Sequence, residues 1–297
     1  MDHQAAGLMR RNLFGIAVDA LTMTQAISRC TDAIEHGAYL SVGMVNAAKV
    51  VAMRRNARLR EAVGGCGMVL ADGQSVVWAS RMLGSPLPER VAGIDLFLEL
   101  LEQAARRTYR VYFLGARPDV LARTLAEVGR RYPGLAVAGA RHGYFRPEEE
   151  SDIAAEIRRS DPDLLFVGMS PPRKELFVSQ WGENTRSKVV HGVGGSFDVL
   201  AGLTRRAPAW YQEHGLEWLY RAWQEPARLG RRYATTNMWF MALLARELIS
   251  RGLRPPAPPR ADSAAALAGP EAAGEPRADS AAAPAGPEAA AARGERA

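Results

Sequence analysis

Cysteine is scarce in this chain of 297 residues: Cys30 and Cys66 are the only two. They match neither a metal-ligand spacing nor a disulfide framework, so both are read as reduced thiols. Lysine is nearly as rare, with Lys49, Lys174 and Lys188 set against 35 arginines. No run reaches the ~20 apolar residues of a spanning helix. Residues 1–11 are polar and carry no secretory leader, so a cytoplasmic location is expected. Equally absent are the G-x-G-x-x-G and G-x-x-x-x-G-K-[ST] phosphate loops and the G-x-S-x-G nucleophile elbow. The usual dinucleotide enzymes, P-loop ATPases and serine hydrolases lose their signatures with them.

What is there is globular: 47% apolar and 24% charged residues, enough to bury a sizeable core. Apolar strand-like runs fall at 13–18, 40–45, 68–71, 111–114, 135–138, 164–167 and 189–193. Amphipathic helical stretches separate them, among them 22–34, 47–63, 94–107 and 119–132. This alternation predicts an α/β fold, a Rossmann-like, mainly parallel sheet flanked by helices over residues 1–203. After Gly202 only helical patterns remain. Residues 204–254 hold nine Arg, four Glu and four of the six Trp, which predicts a basic helical appendage suited to an anionic surface. Its removal is expected to leave a folded core. Residues 255–297 are rich in Ala and Pro, repeat Arg-Ala-Asp-Ser-Ala-Ala-Ala, and predict a disordered tail.

The strand ends carry the chemistry. Met68-Val69-Leu70-Ala71 is followed at once by Asp72-Gly73, and Ser75 is placed to cap the next helix. Asp72 leads as a general base, because open α/β sheets bind ligands beyond the carboxyl ends of their strands. A plain Asp-Gly turn remains open at this point, and Asp95, Asp198 and Glu175 stand as alternatives. Three glycine-bearing loops follow strands: Gly115-Ala116, Gly168-Met169-Ser170, and Gly192-Val193-Gly194-Gly195-Ser196. Such loops bring backbone N–H groups to a phosphate. Asp161-Pro162-Asp163 has the form of a metal-diphosphate motif but precedes its strand, on the wrong edge, so no metal and no cofactor is expected. Nucleic acid is not expected either, since no recognition helix accompanies the arginines.

Read in order, several blocks resemble the WecG/TagA/CpsF glycosyltransferases. They are Val45-Asn46, Ala71-Asp72-Gly73, Glu89-Arg90-Val91-Ala92-Gly93-Ile94-Asp95-Leu96, and Gly168-x-x-Pro171-Pro172-x-Lys174-Glu175. Gly192-Val193-Gly194-Gly195-Ser196-Phe197-Asp198, Arg206-Ala207-Pro208, Glu217-Trp218 to Arg221, and Gln224-Glu225-Pro226 complete the set. The resemblance implies an inverting, metal-independent hexosyltransferase of cell-surface polysaccharide synthesis. Its donor would be a UDP-sugar of N-acetylmannosamine type, or a related hexose or uronic acid. Its acceptor would be a polyprenyl-diphosphate-linked sugar at the inner face of the cytoplasmic membrane, to which the enzyme binds peripherally. It further implies that Asp72 is the base, that Asn46 and Arg90 line the pocket, and that Arg221, Arg228 and Arg231 close over the diphosphate. Gly115, Gly194, Gly195, Lys174 and Glu175 are the remaining substrate-binding candidates. Met44 and Lys174 stand where the family often has Thr and Gln, which leaves the donor sugar open. A homo-oligomer is also left open. Two other readings compete: a nucleotide-dependent oxidoreductase or epimerase, and a non-catalytic membrane-binding module.

Overall fold

A computed structural model of the chain describes residues 9–204, 206–208, 210–211, 219–220 and 231–252. Of residues 231–234 it describes the backbone alone. The tail 255–297, Arg221 and Arg228 lie outside the described residues.

The chain opens with a hairpin, β1 (Arg10–Leu13) and β2 (Ile16–Asp19), paired antiparallel around Phe14 and Gly15. Both turn residues have positive φ. The single strand expected over 13–18 is therefore two short ones, because the turn is built inside an unbroken apolar run. The elements then alternate: α1 (Met23–Glu35), β3 (Leu40–Val45), α2 (Ala47–Arg55), α3 (Ala57–Gly64), β4 (Met68–Ala71), α4 (Gln74–Met82), α5 (Gly93–Arg107) and β5 (Arg110–Gly115). They continue as α6 (Pro118–Arg131), β6 (Ala136–Arg141), α7 (Glu150–Ser160), β7 (Leu164–Gly168), α8 (Arg173–Trp181), β8 (Val189–His191), α9 (Ser196–Leu200) and α10 (Arg231–Gly252).

Local chemistry sets the boundaries. Thr22 and Gln25 form a reciprocal capping box at the start of α1. The helix expected over 47–63 breaks at Asn56, whose side chain accepts from the Leu59 N–H and so starts α3 afresh. Ser75 is not the cap of α4: Gly73 takes that position, without a side-chain bond.

Six parallel strands form the main sheet, in the order β4-β3-β8-β7-β5-β6. Strands β3, β4, β7 and β8 are buried along their whole length, which is why they read as continuous apolar runs. Alternate strand residues serve opposite layers. Met44, Leu70, Phe113 and Phe166 pack with α1, α5, α6 and α9. Val45, Val69 and Ala71 pack with α2, α3, α4, the hairpin and α10, while Leu114, Leu165 and Val167 pack with α7 and α8. Helix α10 belongs to this core: Phe240 and Leu244 are buried, and the Phe240 ring lies 5.3 Å from that of Phe14. The chain leaves β5 outward to β6 and leaves β7 inward to β8. The two exits diverge, and the carboxyl ends of such strands are where open α/β sheets bind ligands.

Candidate active site

Asp72 stands directly beyond β4, its N–H on the Val45 carbonyl at 2.9 Å. Gly73 permits this course, because a Cβ there would lie 2.9 Å from the Asn46 Cβ. Both carboxylate oxygens are held. Oδ2 accepts from the Asn46 side-chain amide at 3.2 Å, and Oδ1 accepts from the Gly93 N–H at 2.9 Å. Gly93 opens α5, whose own cap residue Ala92 supplies no side-chain bond. Asp72 thus caps α5 from another strand, facing the positive end of that helix. Asn46 caps α2 in turn, its Oδ1 accepting from the Lys49 N–H at 3.0 Å. A carboxylate with four lone-pair directions retains room for a further proton donor after these two bonds.

The long connection before α5 folds back onto this point. Val91 donates to the Ala71 carbonyl at 3.0 Å, which sets Arg90, half-buried, one residue from the end of the Asp72 strand. Met44 is buried beneath Gly93, where an added Cβ would meet its Cε at 3.3 Å.

Behind Asp72 lies a buried charge cluster. Lys49 Nζ donates to Glu175 Oε1 at 2.7 Å, and both side chains are 8% exposed. Lys174 Nζ donates to the Gly192 carbonyl at 2.9 Å and lies 3.4 Å from Glu175 Oε1. Burial, then the Lys49 charge, push the Lys174 ammonium down to about 8, against the pull of Glu175 and Asp72. Burial pushes the Glu175 carboxyl up, but Lys174 and Lys49 together outweigh it and hold the group below its ordinary value. Three strand-end loops are joined by this cluster: those after β3, β7 and β8. Lys49 was missed in the sequence, where it sat in a helix read by its arginine-rich outer face. Its rarity beside 35 arginines was the one available signal.

The glycine candidates divide. Gly115 is a contact glycine: with φ of +138°, its Cβ would fall 2.4 Å from the Gly168 backbone, so the β5 and β7 ends touch there. Gly194 turns the loop after β8 in the left-handed region, and Gly195 follows it, exposed. The competing acids differ in place. Asp95 pairs with Arg206 at 2.5 Å, whereas the Asp198 carboxylate lies beside the Gly195 loop, 3.8 Å from where a Gly195 Cβ would sit. Asp161 and Asp163 lie at the opposite edge of the sheet with Lys188, at 3.7 and 3.2 Å. Among the described residues no three His, Cys, Asp or Glu side chains gather into a ligand set. Arg231 begins α10, and its side chain is outside the described atoms.

A parallel α/β sheet with a polar cluster at its carboxyl edge defines a doubly wound protein with a candidate ligand site at its strand ends. The sequence profile of the "Glycosyl transferase WecG/TagA/CpsF family" matches residues 11–254, and the chain belongs to that family. An N-acetylglucosaminyldiphosphoundecaprenol N-acetyl-beta-D-mannosaminyltransferase of Bacillus spizizenii is 37% identical over 196 residues, covering 66% of this chain and 75% of the relative. A protein of the same name from Bacillus subtilis is 36% identical over 160 residues, covering 54% and 62%. The chain is a glycosyltransferase, and the oxidoreductase, epimerase and non-catalytic readings fall away.

Proposed function

We propose that the chain transfers a sugar from a UDP-sugar, N-acetylmannosamine or a close hexose or uronic acid relative, to a polyprenyl-diphosphate-linked N-acetylglucosamine. The observation that carries this reading is Asp72, clamped by Asn46 and Gly93 at the strand edge with lone pairs to spare. The acceptor hydroxyl gives its proton to Asp72 as its oxygen bonds to the anomeric carbon. The bond from that carbon to the β-phosphate oxygen breaks, its electron pair leaves with UDP, and the configuration inverts. Arg90, the Gly194-Gly195 loop, and Arg221, Arg228 and Arg231 are the groups offered to the departing charge, with arginine suited to gripping phosphate oxygens in pairs. Lys174 and Glu175 act from behind the pocket, holding the loop that begins at Gly192. This charge set does the work of a metal, so the reaction runs without one.

Peripheral attachment to the inner membrane face fits α10. Met238, Met241, Ala242, Ala245 and Ile249 form an exposed apolar stripe on the side opposite Phe240 and Leu244. No helix among the described residues is long and apolar enough to cross a membrane. We place the catalytic body in residues 1–203 together with the inner face of α10, and the membrane contact on the outer face of α10.

The test is UDP release from a panel of UDP-sugars, with and without a polyprenyl-diphosphate-N-acetylglucosamine acceptor, in EDTA. Acceptor-dependent release of UDP from UDP-N-acetylmannosamine or a relative is expected, with the product anomer inverted. Asp72→Asn is expected to lower kcat by about 10²- to 10⁴-fold, the usual worth of a general base, while UDP binds within about threefold of wild type. Wild-type turnover in that variant would remove Asp72 from the mechanism.

A further inference from the structure

His191 ends β8, and its side chain is wholly buried. Its Nε2 lies 3.1 Å from the Gly93 carbonyl oxygen. A carbonyl only accepts, so Nε2 carries the proton and Nδ1 is the bare nitrogen. That Nδ1 is buried without a partner. Burial and the nearby Lys174 charge outweigh the pull of the Gly93 carbonyl and of Asp72, bringing the imidazole down to about 4, so the ring is neutral at working pH.

A neutral imidazole with an orphaned nitrogen is a costly filler for a core strand. In the sheet His191 is paired with Val42 of β3 and Phe166 of β7, both apolar and buried, and an aliphatic or aromatic side chain would fill the site without the orphan. What the histidine gains is the bond to Gly93, whose N–H holds Asp72 Oδ1 at 2.9 Å. Gly93 has no side chain of its own to fix it, and Met44 beneath it offers only packing. One residue is therefore gripped from two sides: its carbonyl from the sheet floor by His191, its N–H by the carboxylate.

We propose that His191 is a positioning residue for Asp72, acting through Gly93. By fixing the first residue of α5 it fixes the direction of the N–H that orients the carboxylate. Small misplacements of a reacting group cost rate far more than they cost affinity. The inference rests on the reading of Asp72 as the base, and the test separates the two.

The variants are His191→Leu, which removes the bond and the orphaned nitrogen together, and His191→Gln, whose side-chain amide retains a donor. The full chain is assayed for UDP release from UDP-N-acetylmannosamine with the polyprenyl-diphosphate-N-acetylglucosamine acceptor. His191→Leu is expected to lose about tenfold or more in kcat, with the sugar-donor KM within about twofold and a melting temperature no lower than wild type. His191→Gln is expected to recover most of that loss. A substrate-free measurement stands beside it: amide exchange in protein labelled with ¹⁵N-glycine. Gly93 is expected to exchange about tenfold faster in His191→Leu, and Gly43, in the middle of β3, at the wild-type rate. If Gly93 exchanges as in wild type, or if kcat is unchanged in His191→Leu, His191 is a core residue and nothing more. Faster Gly93 exchange in a protein that turns over none of the sugars tested would keep the positioning link and overturn the proposed chemistry instead.

Discussion

At the scale of single residues, the site is a set of buried charges whose protonation is linked to folding. Lys174 shows the linkage above neutral pH. Its ammonium is brought from an ordinary 10.5 to about 8 by burial and by Lys49. Below about pH 8 both folded and unfolded chains carry the proton, and the folded state bears the full cost of a buried charge. Between about 8 and 10.5 the folded chain has shed a proton that the unfolded chain still holds, so stability rises with pH across that window. Above it the cost is gone. The rise amounts to at most about 3 kcal/mol. Urea unfolding of wild type and Lys174→Met at several pH values measures it, since the Met variant lacks the part of the slope that comes from this amine. Parallel curves would mean that the amine is solvated and that the Gly192 loop is not tied to a dry ammonium. The same scale explains what the sequence withheld. Asp72 was visible because a carboxylate directly follows an apolar strand. Lys49 and His191 were not, because their partners Glu175 and Gly93 lie 126 and 98 residues away along the chain.

At the scale of elements, β3, β4, β7 and β8 were legible for a physical reason: buried along their whole length, they read as nearly continuous apolar runs. The hairpin was hidden for the same reason, since Phe14-Gly15 turns inside an apolar run. Helix α10 is the element whose role changes most. A chain ending near Leu203 was expected to fold without it. Phe240 and Leu244 are buried against the layer of Phe14 and Val50, and Arg251 donates to the Leu83 and Asn12 carbonyls at 2.7 and 2.6 Å. Removing α10 uncovers that layer and the hairpin's contacts together. Phe240→Ala is expected to cost about 3–5 kcal/mol and Leu244→Ala about 2–5 kcal/mol, measured by urea unfolding. The chain ended after Leu203 is expected to melt well below the full chain and to aggregate. A truncated protein that melts with the full chain would show that α10 lies on the core without stabilising it.

At the scale of the whole molecule, α10 is apolar on two opposite sides, and among the described residues the inner one is buried while the outer one is exposed. The outer stripe from Met238 to Ile249 runs about 16 Å along the helix. Basic groups flank it: Arg55 lies 5.1 Å over the Trp239 ring, and Arg54 and Arg246 line one small cavity beside it. An apolar ridge bordered by cations is suited to a bilayer with anionic headgroups, where the side chains enter the interface and the arginines meet phosphates. A net charge of +6 is of the sign that favours approach to an anionic surface, over a range that salt shortens. Met238→Asp with Met241→Asp tests the outer face alone, because both positions are exposed and leave the Phe240 layer intact. The double variant is expected to unfold in urea as wild type does and to process a short-chain, water-soluble acceptor at the wild-type rate. Its sedimentation with anionic vesicles is expected to fall about tenfold or more, and its turnover of vesicle-borne long-chain acceptor to fall with it. Vesicle binding that survives both substitutions would assign the membrane contact to another part of the chain and leave the outer stripe of α10 without that role.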